Sequence, residues 1–255
     1  MESRFIQSFF ISNGELLIPL DLLLIIGVAC FIKLPKEKRA DIQYWLPFLI
    51  LVFTVFYQNF GAYTNYNYEF KKSVNAYLGN TEYPKFNIWV YNIAENQIGV
   101  ILYLVLIKSW LATSKKKYIN WMIYIYIPIV CVITFLGIEP LYFNQPILFT
   151  IGANLILIGS GLYFIGLISQ EDYLASNPLK LISFWQMTLI MFTFTLTYIF
   201  WVSLLYLYSV NPVLGKALQQ MGNVILITNL AVLTLTVASP LLPGIFEKEP
   251  TYGFK

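Results

Sequence analysis

Seven long apolar runs, separated by short polar segments, constrain this chain more than any other feature of its sequence. A helix needs about 20 residues to cross a hydrocarbon layer of roughly 30 Å. Helices suit that environment because every backbone polar group is satisfied within the segment. We therefore predict an all-α integral membrane protein, a single membrane domain over residues 1–255 with a seven-transmembrane-helix bundle. The expected spans are 16–33, 43–63, 86–107, 118–137, 146–168, 181–209 and 217–242.

The lysines and arginines fall unevenly on the two sides of such a bundle. Eleven of the 16 lie in segments on one side, and five lie on the other. Cytoplasmic segments of membrane proteins carry the excess of these residues, which places the amino terminus outside and the carboxyl terminus in the cytoplasm. The net charge of +3 is thus a topology signal, and we expect no nucleic acid partner.

The absence of histidine excludes several kinds of chemistry. Seven-helix zinc hydrolases similar to ceramidases or adiponectin receptors hold their metal with histidines, so this chain lacks the ligands for that mechanism. Retinal proteins carry a lysine in the middle of their seventh helix, whereas Lys216 stands before the seventh apolar run. We expect no metal and no cofactor.

Polar side chains inside the apolar runs indicate where a functional site lies, because such groups are usually turned towards protein or a water-filled cavity. Glu95 stands out, since no lysine or arginine lies mid-span to pair with it. At α-helical spacing it shares a face with Asn92, Asn96 and Gly99. With polar residues at similar depth, this face predicts a cavity that is open to the outside and binds a small polar or amphipathic ligand. The candidate ligand-binding residues are Asp21, Asn59, Asn92, Glu95, Asn96, Asn154 and Asn223.

Two other interpretations of these residues stay open. Amide side chains are frequent interhelical hydrogen-bond partners in membranes, so the same set fits a network that only holds the bundle together. Asp21 and Glu95 also fit the acid and base of an intramembrane enzyme, although two carboxylates without histidine offer few catalytic groups. We assign no catalytic residue.

Glycines recur at seven-residue intervals in the fifth apolar run, at Gly152, Gly159 and Gly166. Small residues with this spacing let another helix approach closely. The neighbour is either a helix of the same chain, which we favour because a seven-helix bundle has many internal contacts, or a second subunit.

The connection 62–85 is the longest between apolar runs, and its apolar residues Phe70, Val74, Tyr77 and Leu78 recur at helical spacing. This pattern predicts a short helix lying at the outer membrane interface. The helix either covers a cavity as a lid or anchors the connection through its aromatic side chains.

Three stretches carry a resemblance to known proteins: FNIWVYNIAENQIGVILYLVLIKSW at 86–110, LASNPLKLISFWQM at 174–187 and MGNVILITNLAVLTLTVASPLL at 221–242. They resemble short seven-helix membrane proteins of Bacteroidota, mainly over helices three to seven. The resemblance implies a bacterial inner membrane and a sensor or accessory role, and it brings no assigned activity or site residue.

Together these observations favour an inner-membrane sensor or accessory protein that binds a small ligand from the periplasmic side. The polar segments are too short for an output domain, so we expect signalling through a membrane or cytoplasmic partner that contacts the basic loops 33–42 and 108–117. Membrane lipids are further expected partners. The alternative is a non-catalytic structural subunit of a larger membrane complex.

Overall fold

A computed structural model of the protein describes residues 5–82, 84–174 and 176–250, without the side chains of 171–172, 198–206 and 208–209. Over these residues the regular structure is helical, apart from one isolated bridge between Pro243 and Phe246. The long helices are α1 Gly14–Lys33, α2 Ile42–Tyr66, α3 Ile88–Trp110, α4 Thr113–Phe135, α5 Pro146–Ser169, α6 Ile182–Val210 and α7 Pro212–Ala238.

Six of these helices, all but α6, are long and apolar enough to cross a bilayer. In α6 the apolar stretch with described side chains is Ile182–Thr197, which is shorter. Each predicted span overlaps one helix, with ends that differ by a few residues. The largest shifts include the start of α7, where Asn211 accepts a hydrogen bond from the Leu214 N–H at 3.2 Å and Pro212 occupies the first turn. An all-helical membrane protein is confirmed.

Five helices form a closed ring in which α2 packs against α3, α3 against α5, α5 against α6, α6 against α7, and α7 against α2. The other two lie outside the ring, α1 on α2 and α7, and α4 on α3 and α5. Over an apolar stretch of 18 residues, only 17% of α1 and 17% of α4 is buried, against 56% of α2. Exposed apolar side chains such as Ile25 and Ile125 on these outer helices suit a lipid environment.

Helix α3 changes its winding along its length. Ile88–Tyr91 is α-helical, Asn92–Gly99 is π-helical, and Val100–Trp110 is α-helical again. The i→i+5 hydrogen bonds of a π-helix put more residues into each turn, so side chains point in different directions from those of an α-helix. Such segments are rare and are frequently found at functional sites.

The predicted helix in the connection 62–85 is confirmed as Tyr68–Tyr77. Its first turn is capped by Asn67, whose side chain accepts a hydrogen bond from the Phe70 N–H at 3.2 Å. The Phe70 ring lies 6.2 Å from the ring of Phe60 on α2. These contacts attach the connection to the end of α2.

The glycines of α5, Gly152, Gly159 and Gly166, are buried on the side that faces α3 and α4. A Cβ atom added at Gly159 would lie 3.1 Å from Ile119 on α4 and 3.5 Å from Ile107 on α3. Small residues thus let three helices of the same chain approach one another.

The third glycine differs from the others because its neighbour is a charged side chain. The Lys115 ammonium lies 3.4 Å from the position of an added Cβ at Gly166. The same ammonium donates a hydrogen bond to the Leu162 carbonyl at 3.2 Å. Gly166 therefore leaves room for a lysine that lies along α5, and the expected close helix approach is not found at this position.

The chain after α7 folds back onto the start of α6. Glu249 accepts hydrogen bonds from the Ser183 N–H at 2.9 Å and from its hydroxyl at 2.7 Å. Lys180 and Glu247 form an ion pair of 3.3 Å beside it. Glu249 thus acts as a cap for α6, because a carboxylate at a helix start satisfies backbone N–H groups that lack an intrahelical partner.

Candidate functional site

A cavity of about 350 Å³ lies within the helix ring. It begins among exposed residues at the start of α1, including Ser12 and Glu15, and extends inward to Asn229 on α7, which is 1% exposed. Its walls combine apolar side chains such as Ile50 with polar groups. The volume lies near the lower end of the range for small-molecule sites.

Glu95 lines this cavity from the π-helical segment of α3. Its Oε1 atom accepts hydrogen bonds from the Tyr57 hydroxyl at 3.0 Å and from the Gln58 amide at 3.5 Å, both on α2. Within the described part of the chain, Oε2 has no hydrogen-bond donor and Glu95 has no ion-pair partner. The protein thus holds one carboxylate oxygen and leaves the other available.

The prediction that Glu95 shares one face with Asn92, Asn96 and Gly99 is wrong in part. Glu95, Gly99 and Tyr91 line the cavity, whereas the two asparagines do not. The π-helical winding explains the difference, because residues four apart stay in one row while residues three apart diverge. Over Asn92–Gly99, α-helical spacing therefore does not show which residues share a face.

Asn92 instead connects α3 to the segment between α4 and α5, and Asn96 connects α3 to α4. The Asn92 amide donates to the carbonyls of Leu141 at 2.8 Å and Phe143 at 2.6 Å. The Asn96 amide donates to the Asn92 side-chain oxygen at 3.0 Å, and the Tyr126 hydroxyl donates to the Asn96 carbonyl. Both asparagines are buried, and these contacts have the form of the interhelical network that the sequence left open.

Asp21 and Asn59 form a second polar pair, which joins α1 to α2. The Asn59 amide donates to Asp21 at 2.8 Å and to the Val55 carbonyl at 3.0 Å. Neither residue is among those that line the cavity of Glu95. The two carboxylates expected to share one cavity, or to form an acid and base pair, therefore occupy different sites.

The remaining candidates divide in the same way. Asn223 on α7 lines the cavity. Asn154 is exposed on α5, where its amide donates to the Thr150 carbonyl of its own helix at 2.8 Å. The structure therefore brings Glu95 and Asn223 to the cavity and places the other five candidates elsewhere.

Several cavity residues were not among the candidates. Tyr57 was missed because it belongs to a stretch rich in tyrosine that fits an interfacial belt equally well. Asn229 donates to the Tyr103 hydroxyl at 2.8 Å, a contact across 126 positions of sequence that no local pattern reveals. Gln58 had a signal, since it is a polar residue within the second apolar run.

A second cavity of about 480 Å³ adjoins the mouth of the first and shares Ser12 and Asn13 with it. Tyr68 from the helix Tyr68–Tyr77 lines this second cavity. No described residue of that helix lines the first cavity, which contains Glu95. The helix therefore does not cover Glu95, and its aromatic contacts fit the anchoring alternative.

Function has to be inferred from this geometry, because no family model, curated protein or solved structure matches the chain. The resemblance to seven-helix proteins of Bacteroidota stays a prediction.

Proposed function

We propose that this chain is a seven-helix membrane sensor that binds a small amphipathic ligand in the cavity of Glu95 and conveys its occupancy to a partner protein. The observation that carries the proposal is a carboxylate that lines a cavity inside an apolar bundle and has one oxygen without a donor among the described residues. Ionisable groups at such depth are rare and usually mark substrate or ion sites.

The walls of the cavity support an amphipathic ligand. Ile50 and Phe194 present apolar surface, whereas Thr54 and Asn223 present hydrogen-bonding groups. Small-molecule sites commonly have this composition, with apolar walls that supply area and a few polar groups that set orientation.

The charge distribution supports a mouth on the outer side, which is the periplasmic side in a bacterial inner membrane. The basic clusters 33–39 and 115–117 lie at the opposite end of α1 and α4 from the mouth. Seven spans require α6 to cross as well, and its 29 residues are sufficient for that. The amino terminus is then outside and the carboxyl terminus cytoplasmic.

Helix α3 and a polar chain at its far end offer a route from the cavity to the other end of the bundle. Helix α3 carries Glu95 near one end and Trp110 at the other. The Trp110 indole donates to Gln186 on α6, and the Gln186 amide donates to Thr236 on α7 at 3.1 Å. A movement of α3 on ligand binding would therefore reach α6, α7 and the basic loop 108–117, where we place the partner.

The alternative of a structural subunit has less support in this geometry. The glycines of α5 were its expected contact surface, and Gly152 and Gly159 face α3 and α4 of the same chain. A second subunit would have to bind elsewhere.

Two matched variants test the proposal. Glu95→Gln keeps the shape and the contact with Tyr57 but removes the ability to ionise. Asp21→Asn does the same at the other intramembrane carboxylate, which lies away from the cavity. We expect native mass spectrometry in mild detergent to show a bound small molecule in the wild type and in Asp21→Asn. Glu95→Gln should lose it while its melting temperature stays close to that of the wild type. Equal retention of the molecule in Glu95→Gln would overturn the assignment.

A further inference from the structure

We infer that the ligand of this cavity is a monovalent organic cation, an ammonium group on a small apolar body, with the ammonium bound between Glu95 and the aromatic rings that line the cavity. This inference rests on the proposed function, because it names the ligand class for the same cavity. Charge, aromatic lining and the free carboxylate oxygen carry it.

The acidic groups of the cavity have no basic counterpart among its described lining residues. Glu95 lies in its interior and Glu15 at its mouth, and no lysine or arginine is among the described lining residues. Field lines concentrate in a cleft whose walls have one sign of charge and a low dielectric constant, so cations enter more readily than anions. An interior carboxylate without a cationic partner is stabilised by a ligand that supplies one.

The carboxylate is too isolated to select a divalent metal ion. Calcium takes six to eight oxygen ligands and magnesium keeps strict octahedral geometry, usually with more than one carboxylate. In the described part of the chain, no three aspartate, glutamate, cysteine or histidine side chains lie where they could hold a metal ion together. A single carboxylate in largely apolar surroundings suits an organic cation better.

Aromatic rings supply the second part of an ammonium site. The Tyr57 ring lies 6.2 Å from Tyr91 at nearly a right angle and 5.5 Å from Phe53. Tyr103 and Phe194 form a further edge-to-face pair at 5.2 Å. All five rings line the cavity. The faces of tyrosine and phenylalanine attract cations, and several aromatic rings lining one cavity are the arrangement that recognises ammonium groups.

Hydrogen-bonding capacity agrees with this class of ligand. An ammonium group with N–H bonds needs acceptors, and Glu95 offers its Oε2 atom, which has no donor within the described residues. The Tyr57 hydroxyl donates its hydrogen bond to Glu95, and its oxygen can still accept one from the ligand. A ligand with neither an N–H nor an O–H donor would leave the carboxylate oxygen unsatisfied, which is unfavourable away from water. An ammonium group supplies both the donor and the opposite charge.

The test compares two probes of nearly equal shape, 2-phenylethylammonium and neutral 2-phenylethanol, by calorimetric titration of purified protein in detergent at neutral pH. We expect the wild type to bind the ammonium at least about tenfold more tightly than the alcohol. Glu95→Gln should lose that preference and still bind the alcohol, and Asp21→Asn should behave as the wild type.

The results separate this inference from the proposed function. Equal affinity of the wild type for both probes, unchanged in Glu95→Gln, overturns the ammonium assignment and leaves the ligand cavity in place. A preference for the ammonium that survives Glu95→Gln overturns the role of Glu95. Failure of both probes to bind also overturns the inference, and the proposed function falls with it if the wild type contains no co-purified molecule.

An ammonium group can come from a free amine or from the headgroup of phosphatidylethanolamine. The protein is therefore also titrated in nanodiscs made of phosphatidylglycerol alone and in nanodiscs that contain phosphatidylethanolamine. Equal affinity for the free ammonium probe in both supports a free amine as the ligand. A marked loss of affinity in phosphatidylethanolamine supports the lipid headgroup. In either case the Glu95→Gln variant should bind the ammonium no more tightly than the alcohol.

Discussion

The Tyr57 hydroxyl donates a hydrogen bond of 3.0 Å to Glu95 across the interface between α2 and α3. The two residues are 38 positions apart, and the packing of two helices brings them together. This contact holds one carboxylate oxygen of Glu95. It therefore links the integrity of the α2–α3 interface to the position of the charge in the cavity.

We expect Tyr57→Phe to weaken binding of an ammonium probe several-fold without unfolding the protein. Hydrogen bonds between helices in membranes contribute about 0.6 kcal/mol on average, so the melting temperature should change little. The carboxylate, however, loses the contact that fixes its orientation. Probe titration and thermal unfolding measure the two effects.

Tyr77→Phe is the matched control for that substitution, because Tyr77 is 91% exposed on the helix Tyr68–Tyr77. It removes the same hydroxyl from a place where we see no contact with the cavity. If Tyr57→Phe and Tyr77→Phe bind the probe equally well, Tyr57 does not position Glu95.

Gly159→Leu should cause a strong loss of folded protein. An added Cβ would already lie 3.1 Å from Ile119, and the larger leucine side chain has to displace α4 or α3. Inserting extra atoms into a packed core costs about 1–3 kcal/mol, and a whole leucine side chain lies at the upper end of that range or beyond. The yield of monodisperse protein in detergent measures the effect.

The same helix provides a control in Gly161, where nothing lies within 4 Å of an added Cβ. Gly161→Leu should give protein at nearly the wild-type yield. Equal yields for the two variants would show that the glycines of α5 do not form an internal contact.

The helices could be predicted from the sequence, because apolar length alone requires them in a membrane. The position of Glu95 was also predictable, since a carboxylate in an apolar run stands out whatever its neighbours are. The partners of Glu95 were not predictable. Tyr57 lies on another helix, and its residue type fits an interfacial belt as well as a buried contact.

The division between Glu95 and the two nearby asparagines shows a different limit. Asn92 and Asn96 are polar and lie within three residues of Glu95, so the sequence suggests that all three belong to one site. The π-helical winding of Asn92–Gly99 separates the two asparagines from the cavity. No residue pattern in that segment predicts a π-helix. Bonds from Asn92 to the carbonyls of Leu141 and Phe143 also depend on where a distant segment folds.

Labelling of introduced cysteines tests the orientation of the bundle. Tyr77→Cys lies on the exposed side of the helix Tyr68–Tyr77, and Lys117→Cys lies at the exposed start of α4. Both are placed in a chain whose Cys30 and Cys131 are replaced by alanine. A membrane-impermeant maleimide added to intact cells should label position 77 and not position 117.

Permeabilised cells are the control for that experiment, because both positions should then react. Labelling of position 117 alone in intact cells would show that the bundle has the opposite orientation. The cavity mouth would then open to the cytoplasm, and the ligand would have to be a cytoplasmic molecule.

Attachment of the segment after α7 should weaken as the pH rises. Burial raises the pKa of the Glu249 carboxyl, and the hydrogen bonds from Ser183 oppose that shift without cancelling it. A pKa that is higher in the attached state than in the free segment means that attachment is strongest at low pH, where Glu249 is protonated in both states. It is progressively lost as the pH rises through the raised pKa. Limited proteolysis between about pH 5 and pH 8 should therefore release the segment faster at the higher pH.

Two glutamines separate this titration from other effects of pH. Glu249→Gln cannot ionise and retains an oxygen that accepts from the Ser183 N–H, so its segment should stay attached and lose the pH dependence. Glu247→Gln removes the exposed ion pair with Lys180, and such pairs contribute only about 0–1 kcal/mol, so its pH dependence should match the wild type. The same pH dependence in Glu249→Gln as in the wild type would show that another group controls attachment, because position 249 can no longer titrate in that variant.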